Sequence, residues 1–163
     1  MKKIIILLLI GIPSSCETKI NSETKKSVDL TETQKQADID SVKGLVTHSF
    51  QDIFSNLDST AVSKYYTTDF ILLENGAVWN NDSILHYTTK NTMKKQGIKR
   101  LNRFEYVKSV HNKNSIWLAY DNYAAFVKGK DTLGRAHWME SVIAVKEDQT
   151  WKLQQLHSTI VRD

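Results

Sequence analysis

The chain has 163 residues, with 22 Lys+Arg against 18 Asp+Glu, 40% hydrophobic residues, one Pro and one Cys. That length suits one domain burying roughly two-thirds of its unfolded surface, which excludes collagen-like, fully disordered and multi-span membrane classes. A lone cysteine excludes an internal disulfide framework and leaves stability to an ordinary apolar core.

In chain order, Lys2 and Lys3 precede an apolar stretch from Ile4 to Ile12, the charged start and apolar centre of a bacterial export signal. The stretch covers only about half of a ~30 Å hydrocarbon core, too short for a transmembrane helix. Pro13, Ser14 and Ser15 then run into Cys16, as in a lipoprotein signal whose cysteine becomes the lipid-modified first residue of the mature chain. Pro13 departs from that pattern, which usually carries an aliphatic residue there. A secretory peptide cleaved elsewhere is the alternative. The expected location is the bacterial cell envelope, with the protein exported and lipid-anchored to either the outer or the cytoplasmic membrane.

The expected division is a signal peptide over 1–15, lipidated Cys16 with a flexible tether over 16–37, and a folded domain over 38–163. From Glu17 to Gln36 the chain is rich in Thr, Lys, Glu and Ser, too poor in apolar groups to offset its ordering entropy. Without Lys2 and Lys3, 20 basic residues face 18 acidic ones, a net charge of +2. Most of the basic excess lies in Lys90, Lys94, Lys95, Lys99, Arg100, Arg103 and Lys108, read as a solvated face. An exported chain without a nucleic-acid motif gives no reason to expect a nucleic-acid partner.

Apolar residues at three- and four-residue spacings from Ile39 to Leu57 predict an amphipathic helix over 38–57, with Asp38 as its N-cap. Asp58 offers a second cap before a short helix ending near Tyr66. Phe70 to Leu73 reads as a strand, Gly76 as a turn and Ala77 to Trp79 as a return strand. Asn81 or Asp82 could cap a third helix running to about Gln96 and closed by Gly97. Beyond it, turn signals at 112–114, 129–134 and 147–150 separate four long β-rich runs. The fold class is α+β, with three helices packed on one face of a mostly antiparallel sheet.

Two segments resemble the nuclear transport factor 2-like, or SnoaL-like, superfamily. They are Asp58-Ser-Thr-Ala61 with Tyr65-Tyr66-Thr-Thr-Asp69-Phe70, and the closing Trp138-Met-Glu140-Ser-Val142, Trp151-Lys-Leu153 and His157-Ser158-Thr159. The resemblance implies a cone-shaped fold whose bent sheet wraps the first helix and leaves a pocket at its open end. It does not fix an activity, since members include isomerases, cyclases, dehydratases, hydrolases and non-catalytic binding or assembly domains.

A last turn centred on Asp148 and Gln149 pairs Glu140 with His157 and Trp138 with Thr159, unless a one-residue bulge intervenes. In that register a carboxylate lies beside an imidazole inside the cone. The pair could move protons, or it could be a cross-strand contact that merely satisfies both groups. Tyr123, Trp79, Tyr66 and His48 are further candidates for the pocket wall. The preceding strand has two registers open, one with Asp121 and Tyr123 facing the pocket and one with Tyr120, Asn122 and Phe126; the first is preferred. His137 should point to the opposite face, and neither a metal set nor a cofactor motif is recognised.

The leading reading is a small-molecule-binding domain. The alternatives are an acid–base enzyme using His157 and Glu140, and an assembly module that dimerises through the open sheet face, as this fold often does.

Overall fold

The computed structural model describes residues 29–162. The expected signal peptide, Cys16 and the first part of the tether lie outside the described residues. Helix α1 spans Glu32–Ser49 and starts six residues before the expected cap. Thr31 is its N-cap: the Thr31 hydroxyl accepts from the Gln34 amide while the Gln34 side chain accepts from the Thr31 amide. This reciprocal capping is the T-x-x-Q signature, so residues 32–37, expected in the tether, form the first turns of the helix.

Val42 and Val46 of α1 are fully buried, and the helix continues into a π-helical segment, Phe50–Ser55. Asp58 caps a 3-10 turn over Ser59–Ala61, which leads into the short α2, Val62–Tyr65. Strand β1, Tyr66–Glu74, begins directly after it and takes up Tyr66, which the sequence had placed on the helix. Asn75 and Gly76, both at positive φ (48° and 88°), make the tight hairpin to β2, Ala77–Trp79. Helix α3, Asn81–Lys90, is capped by Asn80. It stops short of the expected Gln96 because Asn91 adopts an extended backbone. Thr88 and Thr89 turn their hydroxyls back onto α3 carbonyls, the local competition that makes such residues poor helix formers.

Four long strands follow: β3 (Lys99–His111), β4 (Ser115–Lys128), β5 (Asp131–Glu147) and β6 (Thr150–Ile160). The six strands form one sheet in the order β2-β1-β6-β5-β4-β3, with β1 parallel to β6 and every other pair antiparallel. The sheet is curved, and α1 packs on β3 and β6 across its inner face. The core lies between them, around Ile53, Phe70, Leu72, Ile84, Ile116, Leu118, Tyr120, Leu153 and Leu156. The expected fold class, a cone-shaped α+β domain with three helices on a curved, mostly antiparallel sheet, is the observed one.

Bulges break the register of the long strands. One residue is extra at Val107 in β3, at Leu133 in β5 and at Gln154 in β6. A bulge reverses which residues face inward for the rest of its strand. The one at Val107 turns His111 inward, where Nε2 lies 3.2 Å from Asp38. Asp38 also accepts hydrogen bonds from Lys146 and from the Trp151 indole. Instead of capping α1, Asp38 ties its middle to three strands.

Candidate functional site

At the far end of α1 the sheet curls around a cavity of about 260 Å³. Phe50 and Phe54 reach it from the π-helical segment, Trp79 from β2 and Tyr87 from α3, while Phe126 and Trp138 stand on the sheet. Both phenylalanines project the same way because they are four residues apart in a helical run. Neighbouring rings lie 5.0 to 5.8 Å apart, so the helical side of the cavity is a continuous aromatic wall.

Glu140 lines the sheet side and is 7% exposed. Its carboxyl accepts from Asn122 Nδ2 at 3.2 Å and from Ser158 Oγ at 3.1 Å. Asn122 is itself aimed by Asn102, which donates to its Oδ1 at 2.6 Å, and Asn102 accepts from Ser55 at 3.5 Å. A chain of polar side chains thus runs from the π-helical segment to Glu140. Burial raises the Glu140 pKa to about 7 despite those two hydrogen bonds and the nearby charge of Arg100. Burial also raises Glu74, which lies on the same wall.

Arg100, from β3, is the third charged group of the cavity and is 8% exposed. Its guanidinium carbon is 4.8 Å from the centre of the Trp138 ring and 5.6 Å from that of Phe54. Its Nε and the buried hydroxyls of Tyr66 and Tyr120 have no hydrogen-bond partner among the described residues. No set of three or more His, Cys, Asp or Glu side chains converges on a metal position among those residues.

No family model matches the sequence, and no curated protein matches it. Solved structures do match in shape. A hexachlorocyclohexane dehydrochlorinase from Novosphingobium barchaimii superposes with a TM-score of 0.64 at 9% identity, over 81% of this chain and 92% of that one. A nuclear transport factor 2-like superfamily protein from Salmonella enterica gives 0.62 at 15% identity, covering 82% and 95%. A ketosteroid isomerase-like protein from Erwinia carotovora gives 0.58 at 13%, covering 77% and 98%. The chain has the nuclear transport factor 2-like fold. At these identities the likeness is one of fold, which is the part of the expected superfamily resemblance that the structures support.

In this nuclear transport factor 2-like domain, Glu140, Trp138 and Trp79 line the cavity, and the other candidates do not. The bulge at Gln154 sets Glu140 opposite Ser158 and pairs His157 with Ser141, so His157 and Thr159 are exposed on the outer face. The expected Glu140–His157 contact is absent for that reason. In β4 the other register holds: Tyr120 pairs with Glu140 and Asn122 with Trp138. Tyr123 therefore lies on the outer face, stacked 4.3 Å from the His137 ring. His137 points away from the cavity as expected, with Nε2 2.7 Å from Asp121. Tyr66 is buried in the core, stacked 3.9 Å from Phe70 and off the cavity wall, and His48 is exposed on α1.

Arg100, expected on a solvated basic face, is instead buried. The missed signal is the period-two alternation of β3: Arg100 shares the phase of Asn102, Phe104 and Tyr106, while Lys99, Leu101, Arg103 and Glu105 take the exposed phase. Phe50, Phe54, Tyr87, Glu74 and Ser158 are likewise cavity residues without a sequence signal of that role, and Phe126 belongs to the register that was not preferred.

Proposed function

We propose that this domain binds a small organic molecule in the cavity, and that it does so in the bacterial cell envelope, exported and anchored to a membrane by lipid on Cys16. The cavity supports the binding reading, because an apolar aromatic enclosure with a few convergent polar groups is the usual make-up of a small-ligand site. The sequence around Cys16 supports the anchor. Mass spectrometry of the full chain extracted gently from membranes tests both parts. The expected result is a lipid-modified Cys16 and an organic molecule released on denaturation. A Cys16→Ser protein equally abundant in the membrane fraction defeats the anchor, and a cavity that neither carries nor takes up any small molecule defeats the binding role.

Acid–base catalysis is the second reading, and Glu140 favours it. A carboxyl titrating near neutrality, oriented by Asn122 and Ser158, can both take and give a proton at pH 7. His157 has no part in that chemistry from the outer face. A third element of the proposal is pairing of two copies through the outer sheet face, where Leu101 and Met139 stand 51% and 63% exposed.

A further inference from the structure

We propose that the cavity selects its ligand by a negative charge, with Arg100 receiving a carboxylate carried on a compact apolar body. This rests on the ligand-binding role proposed above and names the class of molecule.

The Arg100 guanidinium keeps its charge at any ordinary pH, and burying such a charge without an anionic partner is costly. Four rings, those of Phe50, Phe54, Phe126 and Trp138, lie within 6.0 Å of it. Their faces offset part of the lost hydration but supply no hydrogen-bond acceptor in the plane of the guanidinium. No carboxylate oxygen among the described residues comes within the 4.0 Å of an ion pair with it, and its Nε is unpartnered. Glu140 and Glu74 are the two carboxyls on the same wall, and burial draws both towards the neutral form. Glu140 moreover already has two donors of its own, Asn122 and Ser158. The cavity thus holds a buried cation on which Glu140 and Glu74 act only from a distance, with no carboxylate among the described residues bound to it directly.

A carboxylate matches the planar fork of a guanidinium and accepts two parallel hydrogen bonds from it. The volume limits what can carry that group. At about 260 Å³ the cavity falls just below the ~300 Å³ at which ordinary ligand pockets begin, so a body of about one ring suits it. The aromatic wall favours an apolar one.

Phenylacetate and phenylacetamide have the same shape and differ in charge. Trp79 and Trp138 on the cavity wall report occupancy through tryptophan fluorescence. Titration of the full chain should show phenylacetate binding more than about tenfold tighter than the amide, the margin expected of a desolvated charged hydrogen bond. Arg100→Met should abolish that preference. Arg100→Lys, which keeps the charge and loses the fork, should retain a reduced one, and it serves if the methionine variant fails to fold by circular dichroism. Equal or tighter binding of the amide by the native protein overturns the proposal while leaving small-molecule binding intact. If neither probe binds at millimolar concentration, the proposal falls, and the binding role is left to the mass spectrometry of the extracted chain.

Discussion

Glu140 combines two opposed tendencies. Its oxygens are held by Asn122 and Ser158, which favour the ionised form, yet burial lifts its pKa from 4.5 to about 7. The folded protein therefore keeps this proton between pH 4.5 and about 7, whereas the unfolded chain has released it, and stability falls as pH rises through that window. Above it the ionised carboxylate costs the fold roughly 3 kcal/mol. Glu140→Gln carries no charge; its oxygen can still accept from Asn122 while its amide nitrogen donates to the Ser158 hydroxyl. Urea denaturation at about pH 5 and pH 8 should show the variant gaining up to roughly 3 kcal/mol on the native protein at the higher pH and nearly nothing at the lower. A native protein equally stable at both, after allowing for its other groups, would mean that Glu140 titrates normally. The sequence made Glu140 and the two tryptophans legible because each belongs to a run with a clear alternation. It hid Arg100, since a cation among cations looks solvated until the phase of its strand is counted against Phe104 and Tyr106. It also hid Phe50 and Phe54, whose spacing marked a buried helix face without saying that one end of that face borders a cavity.

At the scale of elements, Asp38 ties α1 to β3, β5 and β6 at the end of the sheet away from the cavity. Burial works against its ionisation, but hydrogen bonds from His111, Trp151 and Lys146 outweigh it and keep the carboxyl below its usual 3.8. Because the folded pKa is the lower one, the stabilisation is complete above pH 3.8 and is lost as pH falls through the folded value. Asp38→Asn should cost about 2 kcal/mol at pH 7, and the gap from the native protein should close towards about pH 2. Urea midpoints at the two pH values measure it; a constant gap would show that the loss is one of packing. Element order and type could be read from periodicity and turn residues, down to the brief return strand at Ala77–Trp79. Bulges could not. Val107, Leu133 and Gln154 are neither glycine nor proline and break no local pattern, because a bulge is selected by the curvature of the whole sheet. The start of α1 could have been found, since Thr31 and Gln34 have the spacing of a capping box. The polar composition of the preceding residues masked it.

For the whole molecule, the sheet separates two different surfaces. Its inner face holds the core and the cavity; its outer face carries Met139, Leu101, Tyr123, His137 and Arg103, with Arg103 4.4 Å from the Tyr123 ring. If two copies pair through the outer face, sedimentation equilibrium should give twice the chain mass, and Met139→Arg should return it to the monomer. A native chain that stays monomeric at high concentration would exclude that pairing. The same sheet contains a parity rule at Gln154. Before it, odd-numbered residues of β6, Trp151 and Leu153, face the helices; after it, the even-numbered Leu156 and Ser158 do. Were Gln154 instead taken into the ladder opposite Ile143, the unbroken pairing would set His157 inward opposite Glu140 and send Ser158 out. Where that one residue sits, in the ladder or bulged out of it, therefore decides whether Glu140 faces a hydroxyl or an imidazole.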